Sequence, residues 1–316
     1  MGAKICRVLT LDPCNEFTTD LVSVIMDKEP LENVVYSPAS IHVGLTLVYG
    51  GAEGQTAEEL RKVLYLSRDA KKEVLQKYKK FLKKSFESFN SSDDAPQLKT
   101  AIRLYVNKGL KVTSKFNKIA RDYCDTETKC MDFRKNQEVV ENINHWVEQQ
   151  TENKIKNLLQ TDAVNADTTA ILVNAIYFKA KWLRPFSKEY TMKAPFYMDN
   201  NQQAEVEMMY TKDSFGYGEL PRLNATALAM PYKDSNISML IILPNDRDGF
   251  KTLGKELITL DFYGVSAMLR AQEVSVFLPK FCIEYSIDLK ETLKKASQTF
   301  TLINIKFNFF IFFRCT

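Results

Sequence analysis

Apolar residues recur at helical spacing through the first part of the chain. Their pattern predicts successive helices, which cover Phe17–Ile25, the apolar segment after Ser40, the segment after Thr56, and Lys71–Asn90. Ser40 is predicted to cap the second of these helices. Thr56 and Glu59 have the spacing of a capping box and are predicted to begin the third.

The pattern changes along the rest of the chain. A strand is predicted over Leu98–Val106, where apolar and polar residues alternate, and Val139–Leu159 is predicted to be a helix followed by a shorter turn. Beyond residue 168 the apolar runs become short, rich in β-branched and aromatic residues, and bounded by Pro, Gly, Asn or Asp. The strands predicted there are TTAILVNAIYFKAKW, APFYMD, AEVEMMY, ALAMPY, SMLIILP and SVFLPKFCIEY. Helices first and strands later predict an α+β fold.

No repeat or low-complexity linker divides the chain, so residues 1–295 are predicted to form a single domain. The remaining segment, residues 296–316, is rich in Phe and has no turn chemistry on either side of its apolar run. We therefore predict an atypical tail. Translated non-coding sequence is its favoured origin, and a strand near the end of the fold is the alternative.

Charge and hydropathy exclude several classes of partner. A net charge of +4 over 316 residues is too small to imply nucleic acid. No apolar stretch approaches the roughly 18 residues that a membrane-spanning helix needs, so no membrane partner is predicted. The N-terminal segment lacks the apolar middle region of a secretory signal. The predicted location is cytoplasmic or non-classically secreted, with an extracellular location as the alternative.

Cysteines and sequons add little chemistry. The six cysteines form no C-x-x-C pair, which argues against a zinc site and against a dense disulfide framework. Sequons at Asn90, Asn224 and Asn236 are candidate N-glycosylation sites. They are used only if the chain enters the secretory pathway.

Catalytic groups are scarce. His42 and His145 are the only histidines, which leaves few ways to build a Ser-His-Asp or Cys-His arrangement. The sequence also has no Gly-rich phosphate loop, no H-E-x-x-H motif and no acidic cluster with metal-ligand spacing. We predict that the chain is not an enzyme, that it needs no cofactor or metal, and that both histidines are structural.

One helix is strongly basic. Its lysines are candidate ligands for a polyanion, namely Lys72, Lys77, Lys79, Lys80, Lys83 and Lys84. An ordinary solvated face is the favoured interpretation, because an amphipathic helix covers its outer side with charged residues.

Six segments stand out along the chain: NVVYSPASI at 33–41, GAEGQTAEEL at 51–60, NHWVEQQTENKIKNLL at 144–159, TTAILVNAIYFKAKWLRPF at 168–186, AMPYK at 229–233 with SMLIILP at 238–244, and VFLPKF at 276–281. Taken together and in this order, they resemble signatures of the serpin family of serine protease inhibitors. Ala180 stands where the family usually has Gly. Each motif alone is weak, but six in the right order are specific.

The resemblance implies a fold and candidate positions within it. The fold would be α+β, with helices packed on a large mixed sheet and further sheets beside it. Ser37, Ser40 and Asn174 would form the shutter, where the central strands of that sheet part. Trp182 would lie at the top of the same strand, in the breach, where an inserting loop first enters. Without the resemblance, the serines would be assigned as caps, and Asn174 and Trp182 as core residues.

The resemblance also implies a mechanism. A serine protease, or a cysteine protease, cleaves an exposed loop, which then inserts into the sheet as an extra strand.

The resemblance also implies a position for the basic helix, which would lie where heparin-activated members bind glycosaminoglycan.

This sequence departs from the family after residue 295. The hinge motif E-E-G-T-x-A-x-A, the reactive loop and the closing strands are not found there. We therefore predict a C-terminally truncated or mis-spliced serpin that does not inhibit proteases in this form. The alternative is a non-inhibitory binding or chaperone-like relative.

Overall fold

The structure is a computed structural model, and it describes residues 15–28, 33–35, 37–86, 89, 91–198, 202–257, 260–288 and 305–315. Within these ranges the helices are α1 (Asn15–Lys28), α2 (Pro38–Gly51), α3 (Gly54–Val63), α4 (Lys71–Phe86), α5 (Ser114–Cys124), α6 (Asn136–Gln150), α7 (Phe250–Glu256) and α8 (Phe262–Met268).

The strands are more numerous in the second half of the chain. They are β1 (Gln97–Asn107), β2 (Thr128–Met131), β3 (Ala170–Lys179), β4 (Met192–Tyr197), β5 (Gln203–Leu220), β6 (Ala225–Pro231), β7 (Ser238–Pro244), β8 (Arg270–Pro279), β9 (Phe281–Asp288) and β10 (Ile305–Cys315). Each strand predicted beyond residue 168 is present, and the last predicted run is divided at Lys280 into β8 and β9.

A five-stranded central sheet has the order β2-β1-β3-β10-β9. Its outer pairs differ in direction, because β1 is parallel to β2 whereas β9 is antiparallel to β10. In the middle, β3 is antiparallel to β1 and parallel to β10. The parallel contact between β3 and β10 is called the seam below. The sheet is therefore mixed, as predicted.

A second sheet has the order β4-β5-β6-β7, and β8 pairs with β5 beside that path. The long strand β5 connects its parts: the first residues of β5 pair with β4, and its last residues pair with β6. Strand β8 is antiparallel to the middle of β5, from Met208 to Tyr217.

Strand β3 is covered on both faces. Ala170 and Leu172 pack in one apolar cluster with residues of α1–α5. The alternate residues Ile171 and Val173 pack in another cluster with residues of α6. A continuous apolar run is typical of a central strand that is buried on both sides. The α+β prediction, with helices packed on a large mixed sheet, is confirmed.

The start of α2 differs from the prediction. Ser37, not Ser40, is the N-cap, and its Oγ accepts a hydrogen bond from the Ser40 backbone N–H at 3.3 Å. Pro38 occupies the first turn, where a missing N–H costs nothing because that group has no helical partner. Ser40 is thus inside the helix, and its side chain is available for another contact.

The capping box predicted for α3 is wrong. The helix begins at Gly54, before Thr56, and its N-cap is Glu53, which makes no side-chain capping bond. Glu59 instead accepts a hydrogen bond from Gln55 Nε2, one turn earlier, at 2.9 Å. Gly54 has a φ of +58°, a conformation that Gly adopts without a steric penalty, and it lets the chain enter the helix early.

Helix α6 ends at Gln150, and turns follow it within the predicted region Val139–Leu159. Glu152 and Asn153 follow with positive φ angles, which a right-handed helix does not accommodate. Asn144 then holds the returning chain: its Nδ2 donates to the Leu159 carbonyl, and its Oδ1 accepts from the Leu159 N–H, both at 2.9 Å. The segment after α6 is therefore bound back onto the helix.

Residues 305–315, within the predicted tail, form β10 between β3 and β9. The register runs from Ile305 opposite Ala170 to Phe313 opposite Phe178. The structure thus gives this segment a place at the centre of the sheet. The predicted domain boundary after residue 295 stays a prediction.

Candidate functional site

Asn174 lies in the middle of β3 and contacts the first turn of α2. Its Nδ2 donates to the Ser40 carbonyl oxygen at 2.6 Å, and its Oδ1 accepts from Ser40 Oγ. Asn174 is 1% exposed and Ser40 is 4% exposed. Both polar groups are therefore satisfied by each other, out of contact with water.

The three residues predicted to form the shutter are brought together by this arrangement. Ser37 caps α2 and thereby fixes the turn that presents Ser40. In the sheet, Asn174 stands opposite Ile102 of β1 and Phe309 of β10. The Ser40 contact thus holds β3 to α2 directly beside the seam.

Trp182 lies beyond the end of β3, in a different apolar cluster from the one around Ser40. Its ring stacks on Tyr232, with centroids 4.7 Å apart and planes inclined by 18°. The two residues also form an isolated antiparallel bridge, in which Leu183 N–H donates to the Pro231 carbonyl at 3.0 Å. The predicted breach residue therefore joins the end of the central sheet to the second sheet.

Asp94 strengthens this junction, and the sequence analysis assigned it no role. One carboxylate oxygen bonds Lys181, just beyond β3, and the other bonds Lys233, just beyond β6. These two lysines, Lys181 first, lower the pKa of Asp94 to about 2. Asp94 is therefore charged at neutral pH and ties the end of the central sheet to the second sheet.

His42 lies in the centre of α2 and is fully buried. Its Nε2–H donates to the Leu64 carbonyl at 3.0 Å, so Nδ1 is the acceptor of a hydrogen bond from the Tyr78 hydroxyl at 2.8 Å. Burial lowers the pKa of His42 to about 4, and the bond to Leu64 opposes part of that effect. This neutral ring connects α2 to the end of α3 and to α4.

His145 is the other histidine, and it is exposed on α6. Its Nε2 contacts Gln149 Nε2 at 2.9 Å, one turn along the same helix. Within the described part of the chain, no group of three His, Cys, Asp or Glu side chains is arranged to hold a metal ion.

The basic helix is α4, as predicted. Lys72, Lys79, Lys80 and Lys83 are exposed on it. Lys77 is also exposed, but it pairs with Asp69 at 2.5 Å. The side chain of the last candidate, Lys84, lies outside the described residues.

The sequons have different surroundings. Asn224 is exposed, and its amide donates to Asp246 at 2.7 Å and accepts from Asn245 at 3.0 Å. Asn236 is exposed in the turn between β6 and β7. Asn90 lies outside the described residues.

A search of the described residues finds no helix that is long and apolar enough to cross a membrane.

Comparison with known proteins identifies the architecture. The family model described as Serpin (serine protease inhibitor) matches residues 12–304. The chain belongs to the serpin family. Membership of a family of protease inhibitors also confirms the prediction that the chain is not an enzyme.

Individual relatives agree with this assignment. Alaserpin of Manduca sexta is 36% identical over 290 residues, which cover 90% of this chain and 71% of alaserpin. Serine protease inhibitor 42Dd of Drosophila melanogaster is 35% identical over 264 residues, covering 84% of this chain and 68% of that protein. The crystal structure of Serpin48 of Tenebrio molitor superposes with a TM-score of 0.86 at 30% identity, covering 96% of this chain and 85% of Serpin48.

Proposed function

We propose that this chain is built as a serpin-type inhibitor of serine proteases, with a central sheet that accepts an additional strand at the seam, but that the 316 residues alone do not inhibit because no segment among them resembles the family's hinge and reactive loop. The observation that carries the proposal is the parallel pairing of β3 with β10. Because both strands run in the same direction, one strand inserted between them can be antiparallel to both. The insertion would replace one parallel ladder with two antiparallel ladders, which are slightly more stable per residue.

The chemistry of inhibition would come from the target enzyme. The protease serine attacks the scissile carbonyl of the reactive loop, the amine of the following residue leaves with a proton, and an acyl ester joins enzyme and inhibitor. Insertion of the cleaved loop, the conformational change used by serpins, then carries the protease away from its starting position. The inhibitor needs no nucleophile for these steps.

The 316 residues contain no segment that resembles the family's hinge and reactive loop. We therefore expect no covalent complex when this polypeptide is incubated with trypsin or chymotrypsin. A version extended with the hinge, loop and closing strands of an inhibitory relative is expected to give an SDS-stable complex on a gel. The matched control carries Pro at a hinge alanine, which should block insertion and leave only cleavage.

A non-inhibitory binding protein is the second candidate, and the unmatched hinge favours it. If the extended version is cleaved as an ordinary substrate and no SDS-stable complex forms, inhibition by strand insertion is contradicted and the binding function becomes the better account.

The junction around Asp94 should control how readily the seam opens. For β1 and β3 to move away from β10, the end of β3 must shift relative to the second sheet, and Asp94 ties these parts together. We expect Asp94→Asn to take up a synthetic hinge peptide several-fold faster than the unsubstituted chain. Insertion can be followed as the appearance of a species with a raised Tm.

Glu152→Gln is the matched control for this prediction. It removes an ion pair of similar exposure between Glu152 and Lys99 that has no contact with the second sheet. The role assigned to Asp94 is wrong if both variants take up the peptide at the same rate.

We further propose that the exposed lysines of α4 bind glycosaminoglycan. The support is their position on one helix and their exposure, with Lys79 and Lys83 one turn apart. Lys79→Glu with Lys83→Glu is expected to elute from heparin at clearly lower salt than the unsubstituted chain, because each lost phosphate- or sulfate-type contact reduces the salt dependence of binding.

The control for heparin binding makes the same change of charge elsewhere, at Lys135 and Lys156, which are exposed near α6. Equal elution of both double variants would show that only net charge matters. Failure of the unsubstituted chain to bind at low salt would remove the proposal altogether.

A further inference from the structure

The outer face of the second sheet is apolar where β4, β5 and β8 lie side by side. Met192 stands opposite Met208 in the β4–β5 pair. Tyr210 stands opposite Phe277 in the β5–β8 pair. Since side chains two residues apart in a strand point to the same face, these four residues share one face of the sheet.

Much of this face is exposed to solvent, although Met208 and Tyr210 are half-buried. Phe277 is 65% exposed, Met192 is 64% exposed, and Tyr190 beside them is 56% exposed. The opposite face contains Met209 and Val276, which are buried in an apolar cluster. An antiparallel sheet that covers a core with one face normally presents polar side chains on the other. The exposed apolar face therefore departs from the pattern of a solvated sheet surface.

Its aromatic side chains support one another. The rings of Tyr210 and Phe277 have centroids 4.8 Å apart, and Tyr190 contacts Tyr210 edge-on at 6.3 Å. Aromatic residues and Met are enriched at the centres of protein interfaces, and the rigid aromatic rings bury a large area with little loss of side-chain freedom. Tyr190, Met192, Tyr210 and Phe277 are called the aromatic face below.

The charges beside the aromatic face occur in balanced pairs. Lys212 continues the face along β5 and pairs with Glu273 of β8 at 2.8 Å. On the other side, exposed Lys188 and Glu189 adjoin Tyr190. In a two-fold dimer the same patch meets itself, so a border with one sign of charge would repel its copy. A border with both signs can offer an anion to each cation of the second copy.

We propose that the aromatic face is the docking surface for a second copy of this chain, in a two-fold dimer. This interaction is independent of the seam and of any protease. The 316-residue chain is therefore expected to dimerise whatever the outcome of the inhibition assay.

Sedimentation equilibrium over a wide range of protein concentration tests the proposal. The unsubstituted chain is expected to show a reversible monomer–dimer equilibrium. Phe277→Lys with Met192→Lys should raise the dimer dissociation constant at least about tenfold, because residues at the centre of an interface dominate its affinity. Leu110→Lys with Met268→Lys is the matched control, at positions that are 44% and 58% exposed outside the aromatic face, and it should leave the equilibrium unchanged.

Two results would overturn the proposal: a monomer at every concentration, or a dimer that both double variants preserve equally. Should the lysine variant lose its native circular dichroism, the milder Phe277→Ser and a photo-crosslinking residue at position 277 replace it. A crosslink between copies supports the proposal, and its absence in a dimeric sample contradicts it.

Discussion

Asn174→Ala is expected to lower the free energy of unfolding by about 3 kcal/mol, since it removes both hydrogen bonds between β3 and the first turn of α2. The cost is high because the contact is buried. Ser40 is 4% exposed, so water cannot readily replace the lost partner of its hydroxyl and carbonyl groups. Urea unfolding followed by fluorescence measures the change, and an unchanged m-value would show that the denatured state is the same.

Asn107→Ala provides the control for this substitution. Asn107 also lies in the central sheet, but its amide makes longer and less buried bonds, at 3.3 Å to the Ala166 carbonyl and 3.2 Å to the Thr168 carbonyl. We expect it to cost less than about 1 kcal/mol. If Asn174→Ala costs no more than Asn107→Ala, the contact with Ser40 does not hold β3 to α2 in the way described.

Acid is expected to destabilise the protein through His42. Its pKa is about 4 in the fold, against 6.5 for a solvated histidine side chain, so between these values the unfolded chain binds the proton and the folded chain does not. Stability is therefore unaffected above about pH 6.5, falls as the pH falls through this window, and stops changing through this group below about pH 4. At pH 4 the loss from His42 alone is about 3 kcal/mol.

His42→Gln isolates this contribution from the carboxylates that titrate in the same range. Glutamine can still donate to the Leu64 carbonyl and accept from Tyr78, but it does not titrate. The quantity to measure is the difference in unfolding free energy between pH 7 and pH 4 for each protein. The unsubstituted chain should lose about 3 kcal/mol more than His42→Gln, and equal losses would contradict the role of His42.

That Ser37, Ser40 and Asn174 lie together was predictable from sequence only through the family motifs. Periodicity alone assigns Ser37 and Ser40 to a helix start and Asn174 to a buried strand, and it gives no reason for Asn174 to meet Ser40. Their contact spans 134 positions of the chain. The structure shows that the two serines have different roles: Ser37 caps the helix, and Ser40 contacts the sheet.

Asp94 shows a different limit of sequence reasoning. In the sequence it belongs to SSDDAP, a polar segment that only indicates a break between elements. Its importance depends on Lys181 and Lys233, which belong to different sheets and meet it only after the chain has folded. No local pattern carries that information.

Helix α5 was missed although its signals are present. Thr113 caps it by accepting a hydrogen bond from the Phe116 N–H at 3.2 Å. Phe116, Ile119 and Ala120 then recur at helical spacing. Strand β10 was harder to assign, because the short alternation from Ile305 to Phe309 passes into a continuous apolar run up to Phe313, and such a run has no periodicity to identify it.

The paired hydrogen bonds between Asn144 and Leu159 also determine which parts of the molecule travel together. They hold the first part of the connection from α6 to β3 against the helix, and α6 already packs on β3. Any separation of β3 from β10 must therefore displace α6 as well. The helix moves together with β3 and does not stay in place while the strand slides beneath it. Amide hydrogen exchange at Leu159 would then remain slow while the sheet widens.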